Sequence, residues 1–101
     1  RLDEALREFE VLDAQVSARL GADHPFAAIF ASNRGECLGK LGRFEEARHV
    51  LEESLARLQA KFGRTHERTL KAADRLMAVY GAMGLATRAA DLRREFPPAA
   101  P

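Results

Sequence analysis

The residues of this sequence best suited to chemistry are one histidine and three glutamates at helical spacing. His49 lies among Glu45, Glu52 and Glu53, and residues three or four apart share one face of a helix. An imidazole with several carboxylates is a conceivable ligand set for a divalent metal. The same spacing is typical of a solvated helix face with weak ion pairs, which is the interpretation we favour. We therefore predict no metal and no cofactor.

Two other groups of residues also favour structural roles over chemistry. Gly35, Gly39 and Gly42 could be mistaken for a phosphate loop, but they lack the preceding strand and the Lys-Ser/Thr ending that phosphate binding requires. A run of basic residues could contact phosphates, yet acids elsewhere balance it, and we interpret it as a solvated basic edge. The run comprises Arg57, Lys61, Arg64, Arg68, Lys71 and Arg75.

Composition indicates one folded domain without a strong overall charge. The 101 residues are 47% hydrophobic and 31% charged, and 16 basic against 15 acidic side chains leave a net charge of +1. Such a balance gives no field that would favour nucleic acid or an anionic membrane as a partner. There is no long apolar run and no signal segment, so we expect a cytoplasmic domain. Because the sequence begins at Arg1, we expect it to be a part of a larger protein.

The chain repeats itself at an offset of 42 positions. A period of this length is typical of stacked supersecondary units. A third copy begins with Ala89, which lies 42 residues after Ala47. The residues Arg1, Glu4, Ala5, Glu10, Gly21, His24, Ala31, Gly39 and Gly42 recur as Arg43, Glu46, Ala47, Glu52, Gly63, His66, Ala73, Gly81 and Gly84.

Within each copy, apolar residues three or four apart predict amphipathic helices. The first helix of the chain ends at Gly21 and its counterpart at Gly63, and each is followed by a segment in which a side-chain oxygen can cap the next helix. New helices are therefore expected near residues 24 and 66, ending at the next glycines. We predict an all-α chain of about five helices without strands. Apolar positions of the two long helices are Leu2, Ala5, Phe9, Leu12, Val16 and Leu20, and Phe44, Ala47, Leu51, Leu55, Leu58 and Phe62.

The pattern resembles the tetratricopeptide repeat, in particular the 42-residue type found in kinesin light chains and bacterial signalling proteins. The resemblance rests on Asp23-His24-Pro25, on Gly42-Arg43-Phe44-Glu45-Glu46-Ala47, and on Leu51 and Leu55. It implies a right-handed superhelical stack of antiparallel helix hairpins. On this basis we expect a single array over residues 1–96, with a partial repeat at 1–20, a full repeat at 24–62, a terminal repeat at 66–96 and a Pro-rich tail at 97–101.

The resemblance also assigns packing roles. Gly35, Ala47 and Ala89 match the small crossing positions, whereas Leu38 and Tyr80 match the large ones. Cys37 would lie on an inward-packed face as an inert buried thiol, and His24 and His66 would be turn or capping residues. The last copy departs from the pattern at Met77, at residues 85–88 and at Arg93, which occupies a core position, and such a polar copy suits a terminal cap.

The resemblance further implies a groove lined by the first helix of each repeat, here residues 25–41 and 67–83. Asn33, Lys71 and Arg75 match three positions that clamp a C-terminal carboxylate in chaperone-docking members, although the rest of that clamp has no counterpart here. The expected peptide-binding positions are Ile29, Ser32, Asn33, Glu36, Lys40, Lys71, Asp74, Arg75 and Ala78.

We accordingly predict a non-enzymatic module that docks a protein or peptide partner, which could be acidic, within a larger signalling or regulatory protein. The alternative is an oligomerisation or spacer segment attached to a catalytic domain such as a Ser/Thr kinase. The first copy is incomplete by comparison with the family, so Leu2 and Phe9 would lack a covering helix. We therefore expect either an exposed apolar patch there or self-association through the N-terminal helix.

Overall fold

A computed structural model describes residues 1–21 and 23–97, and they form five helices. No strand occurs within these ranges, which confirms the predicted all-α class. Each helix packs against the next along the chain, and α2 also contacts α4. All of the predicted tail except Pro97 lies outside the described residues. The helices are α1 (Leu2–Leu20), α2 (Pro25–Lys40), α3 (Phe44–Phe62), α4 (Glu67–Ala82) and α5 (Ala86–Glu95).

The turns after α2 and α4 have the same geometry and depend on glycine. Gly42 and Gly84 adopt φ values of 81° and 76°. Residues that carry a Cβ avoid this region of positive φ. In the first turn the Arg43 N–H donates to the carbonyl of Leu38 at 2.9 Å, and in the second Leu85 donates to Tyr80 at 2.8 Å. These bonds satisfy carbonyls that the helix end would otherwise leave unpaired.

Histidines cap the starts of α2 and α4. The Nδ1 atoms of His24 and His66 each accept a hydrogen bond at 3.1 Å, from the backbone N–H of Phe26 and of Arg68 respectively. The caps are therefore the histidines that the resemblance implied, and the expectation of a capping side-chain oxygen was wrong. The residue before the first helical position occupies the cap, and in both copies that residue is the histidine.

A close helix crossing joins α2 to α3. A Cβ built on Gly35 would lie 2.5 Å from Cγ of Leu51, so the Leu51 side chain fills space that only glycine leaves open. One period later the pair becomes Met77 and Arg93. Arg93 stands at the position that Leu51 holds in the full repeat, but it is exposed, while Met77 packs against the core. An exposed arginine at this position fits the expected polar terminal copy.

A buried tyrosine links α4 to α3. The Tyr80 hydroxyl donates to Oε2 of Glu52 at 2.6 Å, and the same carboxylate accepts from Arg48 at 3.1 Å. Burial, followed by the bond to the Glu52 carboxylate, raises the pKa of Tyr80 from 10.0 to about 12. The phenol is therefore held in its protonated form in the folded protein.

Replacement of Gly35 by alanine tests the close crossing. The free energy of unfolding of the Gly35→Ala variant should be about 1–3 kcal/mol lower than that of the parent, because Leu51 must move to admit the methyl group. Gly81 is the matched control, since in the described part of the chain nothing apart from its chain neighbours and the adjoining backbone of α4 lies within 4 Å of its ideal Cβ. Gly81→Ala should be neutral or stabilising by up to about 1 kcal/mol. Equal urea unfolding midpoints for the two variants would contradict the packing described.

The Tyr80 bond predicts a specific dependence of stability on alkaline pH. Because the folded-state pKa lies above the ordinary value of 10.0, the stabilisation is complete below pH 10 and is lost as the pH rises toward 12. The free energy of unfolding should therefore fall more steeply over that window in the parent than in Tyr80→Phe, which has no phenol to titrate. Parallel curves from urea titrations at a series of pH values would exclude this role for the hydroxyl.

Candidate functional site

The candidate site is the surface between α2 and α4, which we call the α2–α4 groove. Its positions repeat with the period of the chain, so that Asn33 on α2 and Arg75 on α4 are equivalent residues of neighbouring copies. α3 separates the two helices in sequence and packs against both. The position of the groove is therefore set by α3 and by the close α2–α3 crossing.

Arg75 bridges the floor of this groove. Its Nη1 donates to Oγ of Ser32 and to Oδ1 of Asn33, both at 2.9 Å. Its Nη2 donates to Oε1 of Glu36 at 3.4 Å, and its Nε lies 3.3 Å from Oε2 of the same carboxylate. The Arg75 side chain is only 12% exposed. The guanidinium thus connects α4 to three polar side chains of α2 and divides the groove into two compartments.

The compartment toward the start of the two helices is small and basic. It has a cavity of about 30 Å³. Arg68 and Lys71 stand exposed at its edge, and neither forms an ion pair within residues 1–21 and 23–97. An exposed pair of unneutralised cations attracts anionic groups. The lining residues are Ile29, Ser32, Asn33, Leu58, Arg68, Lys71 and Arg75.

The compartment toward the end of the two helices is larger and mainly apolar. It has a cavity of about 280 Å³. Gly39 and the alanines of α4 keep it open, since none of them has a long side chain, and Lys40 stands exposed at the rim. A cavity of this size with apolar walls and few polar groups suits a small hydrophobic side chain. The lining residues are Glu36, Gly39, Lys40, Phe44, Arg75, Ala78, Val79 and Ala82.

Most of the positions expected from the resemblance line one of these compartments, with one exception and some additions. Asp74 is exposed and lines neither cavity. Arg68 was not among the expected positions, although it lies one helical turn before Lys71 on the same face. Phe44 was also missed, because it belongs to the start of α3 and not to a lining helix. The remaining additions are Gly39, Leu58, Val79 and Ala82.

The candidate metal ligands do not assemble. His49 Nε2 lies 3.9 Å from Oε2 of Glu53, while Glu45 and Glu52 both bind Arg48. Over residues 1–21 and 23–97, no group of three histidine, cysteine or carboxylate side chains could hold a metal ion. The ionic side chains on this face therefore stabilise α3 locally.

Cys37 is buried on the inward face of α2. Burial, with a smaller contribution from the Glu36 carboxylate, raises the pKa of the thiol above 9.0. A raised pKa lowers the fraction of thiolate, which is the reactive form. The thiol therefore serves as a small apolar side chain of the core.

Within residues 1–21 and 23–97, no helix has the length and the apolar character needed to cross a membrane.

Comparison with known proteins identifies the family. The profile of the tetratricopeptide repeat matches residues 26–95, which is more than half of the chain and includes the last four helices. No curated protein matches the sequence. Members of the matched family are generally protein–protein interaction modules and are typically non-catalytic. With its five stacked helices and its match over both lining helices of the groove, the chain belongs to the tetratricopeptide repeat family.

Proposed function

We propose that the α2–α4 groove docks a peptide or a protein segment. The observation that carries the proposal is the pairing of a basic compartment with an apolar cavity of about 280 Å³ on one continuous surface. An extended segment can place a charged group in one compartment and a hydrophobic side chain in the other. Asn33 lines the basic compartment and Glu36 lines the apolar one, so a peptide backbone that spans both compartments would pass these two side chains.

The charge of the groove favours an acidic partner segment. Arg68 and Lys71 are the cations available to a ligand in the basic compartment, because the guanidinium of Arg75 already binds Ser32, Asn33 and Glu36. We assign Arg75 the role of a strut that fixes the distance between α2 and α4. A carboxylate clamp that uses Arg75 would require this network to break, and we do not propose one.

We infer that the module acts inside a larger signalling or regulatory protein of bacterial type, and that its repeats are of the 42-residue kinesin-light-chain-like kind. The alternative, an oligomerisation or spacer segment beside a catalytic domain, is favoured by the apolar side chains that α1 exposes. Val11 and Leu20 are 55% and 53% exposed.

The strut role of Arg75 predicts a loss of stability on its removal. Arg75→Met retains the apolar stem but leaves the Ser32, Asn33 and Glu36 side chains without their partner, which should cost about 1–3 kcal/mol of unfolding free energy. Lys71→Met is the matched control on an exposed position and should change stability by less than about 0.5 kcal/mol. Chemical denaturation of both variants measures the difference. Equal stabilities would contradict the strut role of Arg75.

Docking in the groove predicts that reversal of the charges of Arg68 and Lys71 weakens binding. An array of ten-residue peptides with varied acidic and apolar content supplies the ligands, and fluorescence anisotropy supplies the affinities. The Arg68→Glu, Lys71→Glu double variant should weaken the best acidic ligand by at least about tenfold, which corresponds to about 1.4 kcal/mol.

The control for this experiment carries the same change of charge elsewhere. Arg19→Glu with Arg93→Glu alters exposed residues of α1 and α5 and should leave the affinity within about twofold, since neither residue lines the groove and exposed charges are screened by salt. An equal loss of affinity in both double variants would show that the loss comes from the change in net charge and not from the groove. No loss in either would place the ligand outside the groove.

A further inference from the structure

The two compartments of the α2–α4 groove lie at a fixed separation along the helices. Early residues of α2 and α4 line the basic compartment and later residues of the same helices line the apolar one, so the two helices run side by side in the same direction. Ser32 and Gly39 are seven positions apart on α2, and Lys71 and Val79 are eight positions apart on α4. At a rise of about 1.5 Å per helical residue, the two compartments are about 10–12 Å apart.

This distance selects the spacing of the ligand residues that fill the two compartments. An extended chain advances by about 3.3 Å per residue, so a span of about 10–12 Å corresponds to between three and four residues. Successive side chains of an extended chain point to opposite sides, and only residues an even number of positions apart can both enter the groove. Four positions is the nearest even separation, and the long, flexible side chain of Lys71 can adapt to the small difference in length.

The guanidinium of Arg75 forms a ridge between the compartments and lines both cavities. It is fixed by its bonds to Ser32, Asn33 and Glu36, and it cannot move aside without breaking them. In a five-residue extended segment the middle residue points to the same side as the first and the fifth, so it meets this ridge. A large side chain there would hold the backbone away from both compartments, and a small one is therefore required.

The walls of the apolar compartment set the chemistry of the residue that enters it. The cavity of about 280 Å³ is bounded by Phe44 and by the methyl groups of Ala78 and Ala82, which offer no hydrogen-bonding atoms to a polar side chain. The Glu36 carboxylate also lines this cavity and would repel a second acidic residue. An aliphatic side chain meets both conditions.

We propose that the α2–α4 groove recognises an extended segment in which an acidic and an aliphatic residue stand four positions apart, with a small residue midway between them. The acidic residue binds at Arg68 and Lys71, the aliphatic residue fills the apolar cavity, and the small residue crosses Arg75. The two remaining residues point to solvent and can be of any type. This inference rests on the proposed docking function, and it adds the spacing and chemistry that select the ligand.

A set of capped nine-residue peptides tests the spacing. The reference peptide has serine at every position outside the central segment Glu-Ser-Gly-Ser-Leu, and a second peptide carries that segment in the reverse order. NMR titration of the isotope-labelled chain measures weak affinities and shows which amides respond. The better of the two orders should shift the amide signals of Lys71 and Ala78 together. It should bind at least about fivefold more tightly than versions with Glu and Leu three or five positions apart, in which the leucine cannot be buried.

Changes on each side of the contact test the ridge and the cavity. Isoleucine in place of the middle glycine of the peptide should lower the affinity by at least about threefold, because it would press against Arg75. In the protein, Ala78→Leu fills the apolar cavity and should remove the preference for leucine over serine at that ligand position. The matched control is Ala56→Leu, an exposed alanine of α3 that lines neither compartment, and it should retain the preference.

The outcomes separate this inference from the docking function on which it rests. Loss of the leucine preference in Ala78→Leu and not in Ala56→Leu supports the inference. Equal affinities at separations of three, four and five positions, with shifts at both Lys71 and Ala78, would overturn the spacing and leave docking in the groove intact. If neither these peptides nor the acidic peptides of the array shift the signals of the groove, the spacing and the docking function are both contradicted.

Discussion

The structure depends on how closely α2 can approach α3. Helix axes reach the 8–10 Å typical of packed helices only where side chains at the crossing are small, and Gly35 provides that position for Leu51. With α3 held against α2, α4 packs against α3 and also contacts α2, and its residues Ala72, Ala73 and Leu76 are almost fully buried. The spacing of α2 and α4 is thus a consequence of a packing constraint in the interior.

That spacing lets one arginine span the groove. Arg75 reaches three polar side chains of α2, and because it is largely buried these bonds are made away from competing water. The guanidinium therefore stabilises the groove and at the same time separates its basic compartment from its apolar one. A surface whose shape is set before any ligand arrives loses less conformational entropy on binding, which is the physical advantage of docking on a helical array.

The repeat made the helices predictable but not the contacts across them. The helix-ending glycines and the apolar spacing are local signals, so five helices could be predicted from the sequence alone. The role of Arg75 could not be predicted from the sequence. An exposed cation that binds a ligand and a buried strut have the same sequence pattern, and they differ only in how close the guanidinium lies to the side chains of Ser32 and Glu36. The polar last copy was also visible in the sequence, where Met77 and Arg93 replace Gly35 and Leu51, and Arg93 is exposed in the structure. The missed Phe44 shows that a turn can bring a residue of the second helix into the groove.

The central claim, that a segment binds between α2 and α4, is tested most directly by site-specific photocrosslinking. A photoreactive phenylalanine analogue at Lys40, on the rim of the apolar compartment, should crosslink a bound peptide, and mass spectrometry would identify the joined residues. The same analogue at Ala56, an exposed position of α3 that lines none of the cavities described here, should give no crosslink. A peptide that joins to Ala56 and not to Lys40 would contradict the account.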